Sequence, residues 1–104
     1  MAVRFVSVAK TTDIEPGRVK CVEVEDYRLA ICNVGGTFYC IENTCTHDGG
    51  SLDQGELQGD VIECPRHGAR FNVITGKVAR MPATAALETF PVKIEGGEIK
   101  VGLE

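Results

Sequence analysis

The sequence predicts an all-β protein, a small sandwich or barrel of about ten short strands. Short apolar or alternating runs recur along the chain and are separated by glycine-containing turns, a pattern typical of strands. No segment has a sustained helical period with end caps. The 104 residues also contain no internal repeat or linker, so we expect a single domain over residues 1–104.

Each predicted strand ends at a turn signal. The strands, in chain order, are residues 3–8, 18–24, 28–34, 37–41, 55–57, 61–64, 69–72, 77–79, 87–94 and 98–101. Gly35 and Gly36 match the two-residue hairpin signal before the fourth strand, and Gly96 and Gly97 match it before the last. The candidate functional residues lie in two segments, about residues 43–52 and 64–72.

The net charge of the chain is −4. This charge argues against nucleic-acid binding, which requires a basic surface that displaces counterions. It is compatible with docking onto a basic patch of a protein partner. No apolar run approaches the roughly 20 residues that cross a bilayer, and the N-terminus lacks a signal-peptide pattern. We therefore expect a cytoplasmic monomer that binds neither membranes nor nucleic acid.

Five cysteines are a high number for a chain of this length. Three of them, Cys21, Cys32 and Cys40, lie in apolar, strand-like runs, where a thiol behaves as a small hydrophobic side chain. In a cytoplasmic protein such thiols stay reduced. We therefore predict that these three are thiols of the core and form no disulfide.

The other two cysteines belong to the pattern that dominates the sequence. A C-x-H pair and a C-x-x-H pair, separated by 16 residues, supply Cys45, His47, Cys64 and His67. Thiolate and imidazole are the side chains that bind soft and borderline transition metals best. Turn-forming glycines follow each pair, and glycine allows backbone amides to approach a bound cluster closely. The pattern predicts a metal site built from two loops.

Three kinds of site are compatible with these residues. A mononuclear Cys₂His₂ zinc site is one, although zinc spacing usually places the two cysteines together and the two histidines together. Nucleophilic catalysis by one Cys–His dyad is a second, but it leaves the other pair without a role. One cysteine and one histidine from each loop suit a binuclear cluster, in which one iron takes both cysteines and the other takes both histidines.

The two motifs resemble the cluster-binding loops of Rieske 2Fe–2S proteins. They are C-T-H-D-G-G at residues 45–50 and C-P-R-H-G-A-R-F at residues 64–71. The resemblance implies a Rieske-like fold with the cluster-binding loops at one end and one 2Fe–2S cluster. It also implies that Cys45 and Cys64 bind one iron, and that His47 and His67 bind the other.

The sequence departs from the respiratory Rieske pattern at four positions. Gly50 and Arg66 stand where that pattern has two further cysteines, so the disulfide between its loops cannot form here. Ala69 and Phe71 replace a serine and a tyrosine whose hydroxyls bond toward the cluster. Hydrogen bonds to sulfur stabilise the reduced cluster. We therefore expect a potential near the low end of the Rieske range, about −150 mV.

The residues favour an electron carrier over an enzyme. Both histidines of the chain belong to the predicted cluster site, so none is left for a mononuclear 2-His-1-carboxylate iron. A glycine-rich fingerprint for NAD or flavin is also missing. A loop with Met81 and Pro82 resembles the one that covers the cluster in this family.

The resemblance implies the ferredoxin component of a bacterial ring-hydroxylating dioxygenase. Such a protein passes electrons from a flavin-dependent NAD(P)H reductase to a terminal aromatic-ring oxygenase. Two alternatives stay open at this point. One is the Rieske small subunit of an NADH-dependent nitrite reductase, and the other is a structural zinc-binding interaction module.

Overall fold

The computed structural model describes residues 3–45, 49–65, 68–81 and 85–104. In these ranges the chain forms eleven antiparallel strands and one turn of 3-10 helix at Thr11–Asp13. The strands are β1 (Arg4–Lys10), β2 (Val19–Val24), β3 (Tyr27–Val34), β4 (Thr37–Glu42), β5 (Glu56–Gln58), β6 (Val61–Glu63), β7 (Arg70–Asn72), β8 (Val78–Arg80), β9 (Thr89–Phe90), β10 (Val92–Glu95) and β11 (Glu98–Leu103). None of the described segments is a helix long and apolar enough to span a membrane. The predicted all-β class is confirmed.

The strands form three sheets, which we name by position. The terminal sheet has the order β1–β11–β10, the central sheet β2–β3–β4–β9, and the loop-bearing sheet β5–β6–β7–β8. Neighbours along the chain pair as hairpins in the last two sheets. In the terminal sheet, β1 pairs with β11, so the first and last strands lie side by side.

The central sheet is buried on both faces. Successive side chains of a strand point to opposite faces. Ala30 and Cys32 of β3 pack into a loop-side core, whereas Leu29 and Ile31 pack into a terminal core. The loop-side core also contains Cys45, Leu52, Ile62, Cys64, Ala69, Phe71 and Val73. The terminal core also contains Cys40, Ile99, Val101 and Leu103.

The predicted strand over residues 87–94 is wrong as a single element. The chain forms β9 and β10 there, with Pro91 between them. β9 pairs with β4 in the central sheet, and β10 pairs with β11 in the terminal sheet. Proline has no N–H to donate to a ladder, which favours a break in pairing at this residue. Its carbonyl accepts a hydrogen bond from the Gly102 amide at 2.8 Å.

The other predicted strands are present, with ends shifted by a residue or two. The hairpin predicted at Gly35 and Gly36 joins β3 to β4, and both glycines have positive φ angles of 58° and 98°. The hairpin at Gly96 and Gly97 joins β10 to β11. The two-residue turn between β2 and β3 contains Glu25, a non-glycine residue with a φ of 56°.

The three cysteines outside the motifs form no disulfide in the structure. Cys32 and Cys40 are buried in the loop-side and terminal cores respectively. Burial raises the pKa of both thiols to about 12, and the neighbouring Cys32 thiol adds to the rise at Cys40. Cys21 is only half-buried and belongs to neither core, so the prediction of a core thiol is wrong for this residue.

Candidate metal centre

The two motif cysteines lie in two loops that border the loop-bearing sheet. The first loop, residues 43–55, joins β4 to β5, and the second loop, residues 64–69, joins β6 to β7. Cys45 and Cys64 are both fully buried and belong to the loop-side core. The structure therefore brings the two predicted thiol ligands into one apolar cluster.

Two backbone hydrogen bonds link Cys45 to glycines further along the first loop. The amide of Cys45 donates to the carbonyl of Gly50 at 2.7 Å, and the amide of Gly49 donates to the carbonyl of Cys45 at 2.7 Å. Gly49 has a φ of 76°, a conformation that side chains rarely tolerate. These bonds fix the backbone that bears the Cys45 thiol.

The second loop repeats the same geometry. The amide of Cys64 donates to the carbonyl of Ala69 at 2.7 Å, and the amide of Gly68 donates to the carbonyl of Cys64 at 3.1 Å. Gly68 also has a φ of 76°. Each cysteine thus donates to the residue five positions later and accepts from the glycine four positions later. The two halves of the candidate site are built alike, although the spacing of their histidines differs.

Gly55 allows the end of the first loop to pack against β6. A Cβ at this position would overlap the backbone carbonyl of Glu63, the residue before Cys64. The amide of Gly55 also donates to the carbonyl of Leu52 at 2.8 Å, which closes the end of the first loop. Only glycine permits this approach of the first loop to β6.

Two polar contacts support the loops, and the sequence interpretation did not include either. The Arg28 guanidinium donates to the Ser51 hydroxyl at 2.7 Å and ties the first loop to β3. Arg70 donates to the Glu63 carboxylate at 2.7 Å across the base of the second loop. Glu63 and Arg70 are cross-strand partners, so recognising the β6–β7 hairpin and its register would have predicted this ion pair.

Several of the predicted site residues lie outside the part of the chain that the structure describes. His47, His67 and Arg66 lie outside the described residues, as does Pro82. Met81 is described and is 75% exposed. The predicted covering role of its loop stays a prediction.

The described half of the site fits an iron–sulfur cluster. Thiolates are the ligands that such clusters require, and the two loops present one buried cysteine each from matching backbones. Their neighbours in the loop-side core include Leu52, Ala69 and Phe71, which are apolar and fully buried. An apolar surrounding keeps water away from a cluster and lowers the local dielectric.

Comparison with known proteins identifies the family. A family model described as the Rieske 2Fe–2S domain matches residues 4–91. The ferredoxin CarAc of Metapseudomonas resinovorans is 45% identical over 96% of this chain and 94% of its own. The ferredoxin component of biphenyl 2,3-dioxygenase from Rhodococcus jostii is 40% identical, with the same coverage of both chains.

Solved structures give the same result. The ferredoxin in a complex of reduced oxygenase and oxidised ferredoxin of carbazole 1,9a-dioxygenase is 45% identical, with a TM-score of 0.89 over 93% of this chain and 91% of that one. A Mycobacterium tuberculosis protein assigned as an NADH-dependent nitrite reductase small subunit has a TM-score of 0.88 over 100% of this chain and 98% of its own. That protein is only 17% identical, so it shares the fold alone. The chain therefore belongs to the Rieske 2Fe–2S domain family and carries one cluster of that type.

Proposed function

We propose that this protein is the ferredoxin component of a ring-hydroxylating dioxygenase system and delivers electrons to a terminal oxygenase. The observation that carries this proposal is its 45% identity, over 93% of the chain, to a ferredoxin found in complex with its oxygenase. Relatives at 40% identity or above include ferredoxin components of biphenyl and naphthalene dioxygenases. The protein is in this view a carrier and not itself an enzyme.

Four residues are proposed to bind the cluster: Cys45, His47, Cys64 and His67. The burial of both cysteines and the matched hydrogen bonds of their loops support the thiol pair. The spacing of each histidine from its cysteine, and the Rieske match over both motifs, support the imidazole pair. When bound, the cluster supplies reversible one-electron redox chemistry.

The chain's own residues define the surroundings of that chemistry. Leu52, Ala69 and Phe71 place apolar surface next to the cysteines and exclude water from the thiol side. Ala69 and Phe71 have no hydroxyl that could donate to a sulfur, so the reduced state lacks that stabilisation. These residues support the proposal of a low-potential carrier.

Several finer points belong to the same proposal. A flavin-dependent NAD(P)H reductase is the proposed electron donor, as the resemblance to dioxygenase ferredoxins implies. A cytoplasmic location is part of the same proposal. Residues 1–104 are proposed to act as one domain and as a monomer. The packing of the closing strand β11 beneath the central sheet supports the single domain.

The proposal is tested by electron transfer between purified components. The anaerobically purified protein should be coloured and give a Rieske-type electron paramagnetic resonance (EPR) signal on reduction. Mixed with oxidised oxygenase from the carbazole, biphenyl or naphthalene system, the reduced protein should be reoxidised by at least one of them. A colourless, zinc-loaded protein would support the zinc module instead. Reoxidation only by a nitrite reductase large subunit would support the other alternative.

A further inference from the structure

Asn43 is a fully buried polar residue at the start of the first loop. In the part of the chain that the structure describes, only Asn33 and Asn43 are buried polar residues. Asn43 directly follows β4 and precedes Cys45 by two positions. Its backbone amide donates to the carbonyl of Arg28 at 2.9 Å, which continues the pairing of the central sheet. The backbone that carries the Asn43 side chain is therefore held by the central sheet.

The side-chain amide of Asn43 uses all of its hydrogen-bonding capacity. Its oxygen accepts from the backbone amides of Leu52 and Asp53 at 2.8 and 2.9 Å. Its nitrogen donates to the Asp53 carboxylate at 2.9 Å and to the Cys21 thiol at 3.2 Å. A primary amide has two N–H donors and two acceptor lone pairs, so nothing is left unsatisfied.

These bonds join the two sides of the first loop on either side of Cys45. Leu52 is fully buried in the loop-side core together with Cys45, so a displacement of Leu52 moves the apolar surface next to the thiol. Without Asn43, the buried amide of Leu52 would lose its partner, which is unfavourable in a low-dielectric interior. The Arg28–Ser51 contact is exposed and cannot replace this closure.

We propose that Asn43 is a positioning residue for the cluster, because its side-chain amide closes the first loop and so fixes Cys45 relative to Cys64. The proposal rests on the ligand assignment made above. It differs from a role in general stability, since its effect is directed at the geometry of one ligand loop. A change at Asn43 should therefore alter the bound cluster itself.

Asn33 provides a matched control. It is also a buried asparagine, 3% exposed, and its side-chain amide makes two hydrogen bonds, both to backbone groups. Its nitrogen donates to the carbonyl of Ile14 at 2.8 Å, and its oxygen accepts from the amide of Gly36 at 2.7 Å. Both contacts lie outside the two ligand loops. Replacing Asn33 thus removes two buried hydrogen bonds, against four at Asn43, and leaves the contacts of both ligand loops in place.

The first test compares Asn43→Ala with Asn33→Ala in the cluster-loaded protein. Three properties are measured: the EPR g values, the midpoint potential, and the rate at which an iron chelator removes the cluster. Both variants should lower the unfolding temperature. Only Asn43→Ala should shift the g values and potential and accelerate cluster loss by roughly tenfold or more. Equal cluster-loss rates and unchanged spectra in the two variants would overturn the proposal.

The second test exchanges the amide and the carboxylate, and it applies even where the alanine variant fails to fold. Asn43→Asp alone places a carboxylate against that of Asp53 and should accelerate cluster loss. The double variant Asn43→Asp/Asp53→Asn restores one donor and one acceptor with the same composition and net charge. Its cluster-loss rate should return to within about twofold of the wild type. A double variant as impaired as Asn43→Asp would contradict the proposal.

A third variant separates this proposal from the ligand assignment. Cys45→Ser should abolish the native cluster spectrum if Cys45 is a ligand. Native spectra in Cys45→Ser would refute the assignment and the proposal together. Loss of the spectrum in Cys45→Ser, with wild-type behaviour of every Asn43 variant, would refute the positioning role alone.

Discussion

Replacing Ala69 with serine is expected to raise the reduction potential of the cluster by about 20–60 mV. Ala69 is fully buried, and its carbonyl accepts the Cys64 amide at 2.7 Å. A hydroxyl added there belongs to the second loop, and we expect it to donate to a cluster sulfur, which gains negative charge on reduction. Hydrogen bonding therefore stabilises the reduced state more than the oxidised state.

The size of the expected shift in potential follows from the net free energy that one hydrogen bond contributes. A typical contribution is about 0.5–1.5 kcal/mol. For a one-electron couple, about 59 mV corresponds to a tenfold change in equilibrium constant, or about 1.4 kcal/mol. The expected shift is thus a few tens of millivolts. Phe71→Tyr, at a second fully buried position of the same core, should shift the potential in the same direction.

The assay is a redox titration followed by visible circular dichroism or EPR. Ala79→Ser is the matched control, because Ala79 is exposed in β8 and the same substitution adds its hydroxyl to solvent. The control should leave the potential unchanged. An unchanged or lower potential in Ala69→Ser, with a fully occupied cluster, would refute the hydrogen-bond explanation.

Two further predictions concern stability. Since burial raises the pKa of Cys32 and Cys40 from 9.0 to about 12, the folded protein keeps both protons where the unfolded chain releases them. Their stabilisation is therefore complete below pH 9 and is lost as the pH rises toward 12, by at most about 1.4 kcal/mol per pH unit for each thiol. Denaturant titrations at pH 8 and 10.5 measure this slope, and a Cys40→Ala variant with an undiminished slope would contradict it. Gly55→Ala should destabilise the protein by about 1–3 kcal/mol and accelerate cluster loss to a chelator, because its Cβ overlaps the Glu63 carbonyl. Gly36→Ala, which meets open space at a φ of 98°, should lower stability through backbone strain but leave cluster loss unchanged; equal cluster-loss rates would count against the packing explanation.

The fold, and the motifs that carry the proposed cysteine ligands, could be recognised from sequence because their signals are local. The hairpin at Gly35 and Gly36 follows from two adjacent glycines between strand-like runs, and the structure has it. The metal-ligand motif likewise lies within two short segments. The break at Pro91 was not predicted, because the run around it is apolar and strand-like on both sides.

The residues that sequence analysis missed depend on distant partners. Pro91 separates strands of two different sheets, and sheet membership is decided by pairing with β4 and β11 rather than by the local pattern. Asn43 looks like an ordinary polar loop residue. Its importance appears only when its bonds to Leu52, Asp53 and Cys21 are known, and those partners are set by the folded loop.

The two-sided burial of the central sheet has a consequence for how the protein acquires its cluster. The terminal core contains neither of the proposed cysteine ligands, whereas the loop-side core contains both. We therefore expect the terminal and central sheets to assemble before any iron binds. We expect hydrogen exchange of the apoprotein to protect β3 and β11 while the two loops exchange quickly. The apoprotein is thus expected to bind its cluster as a partly folded protein rather than as an unfolded chain.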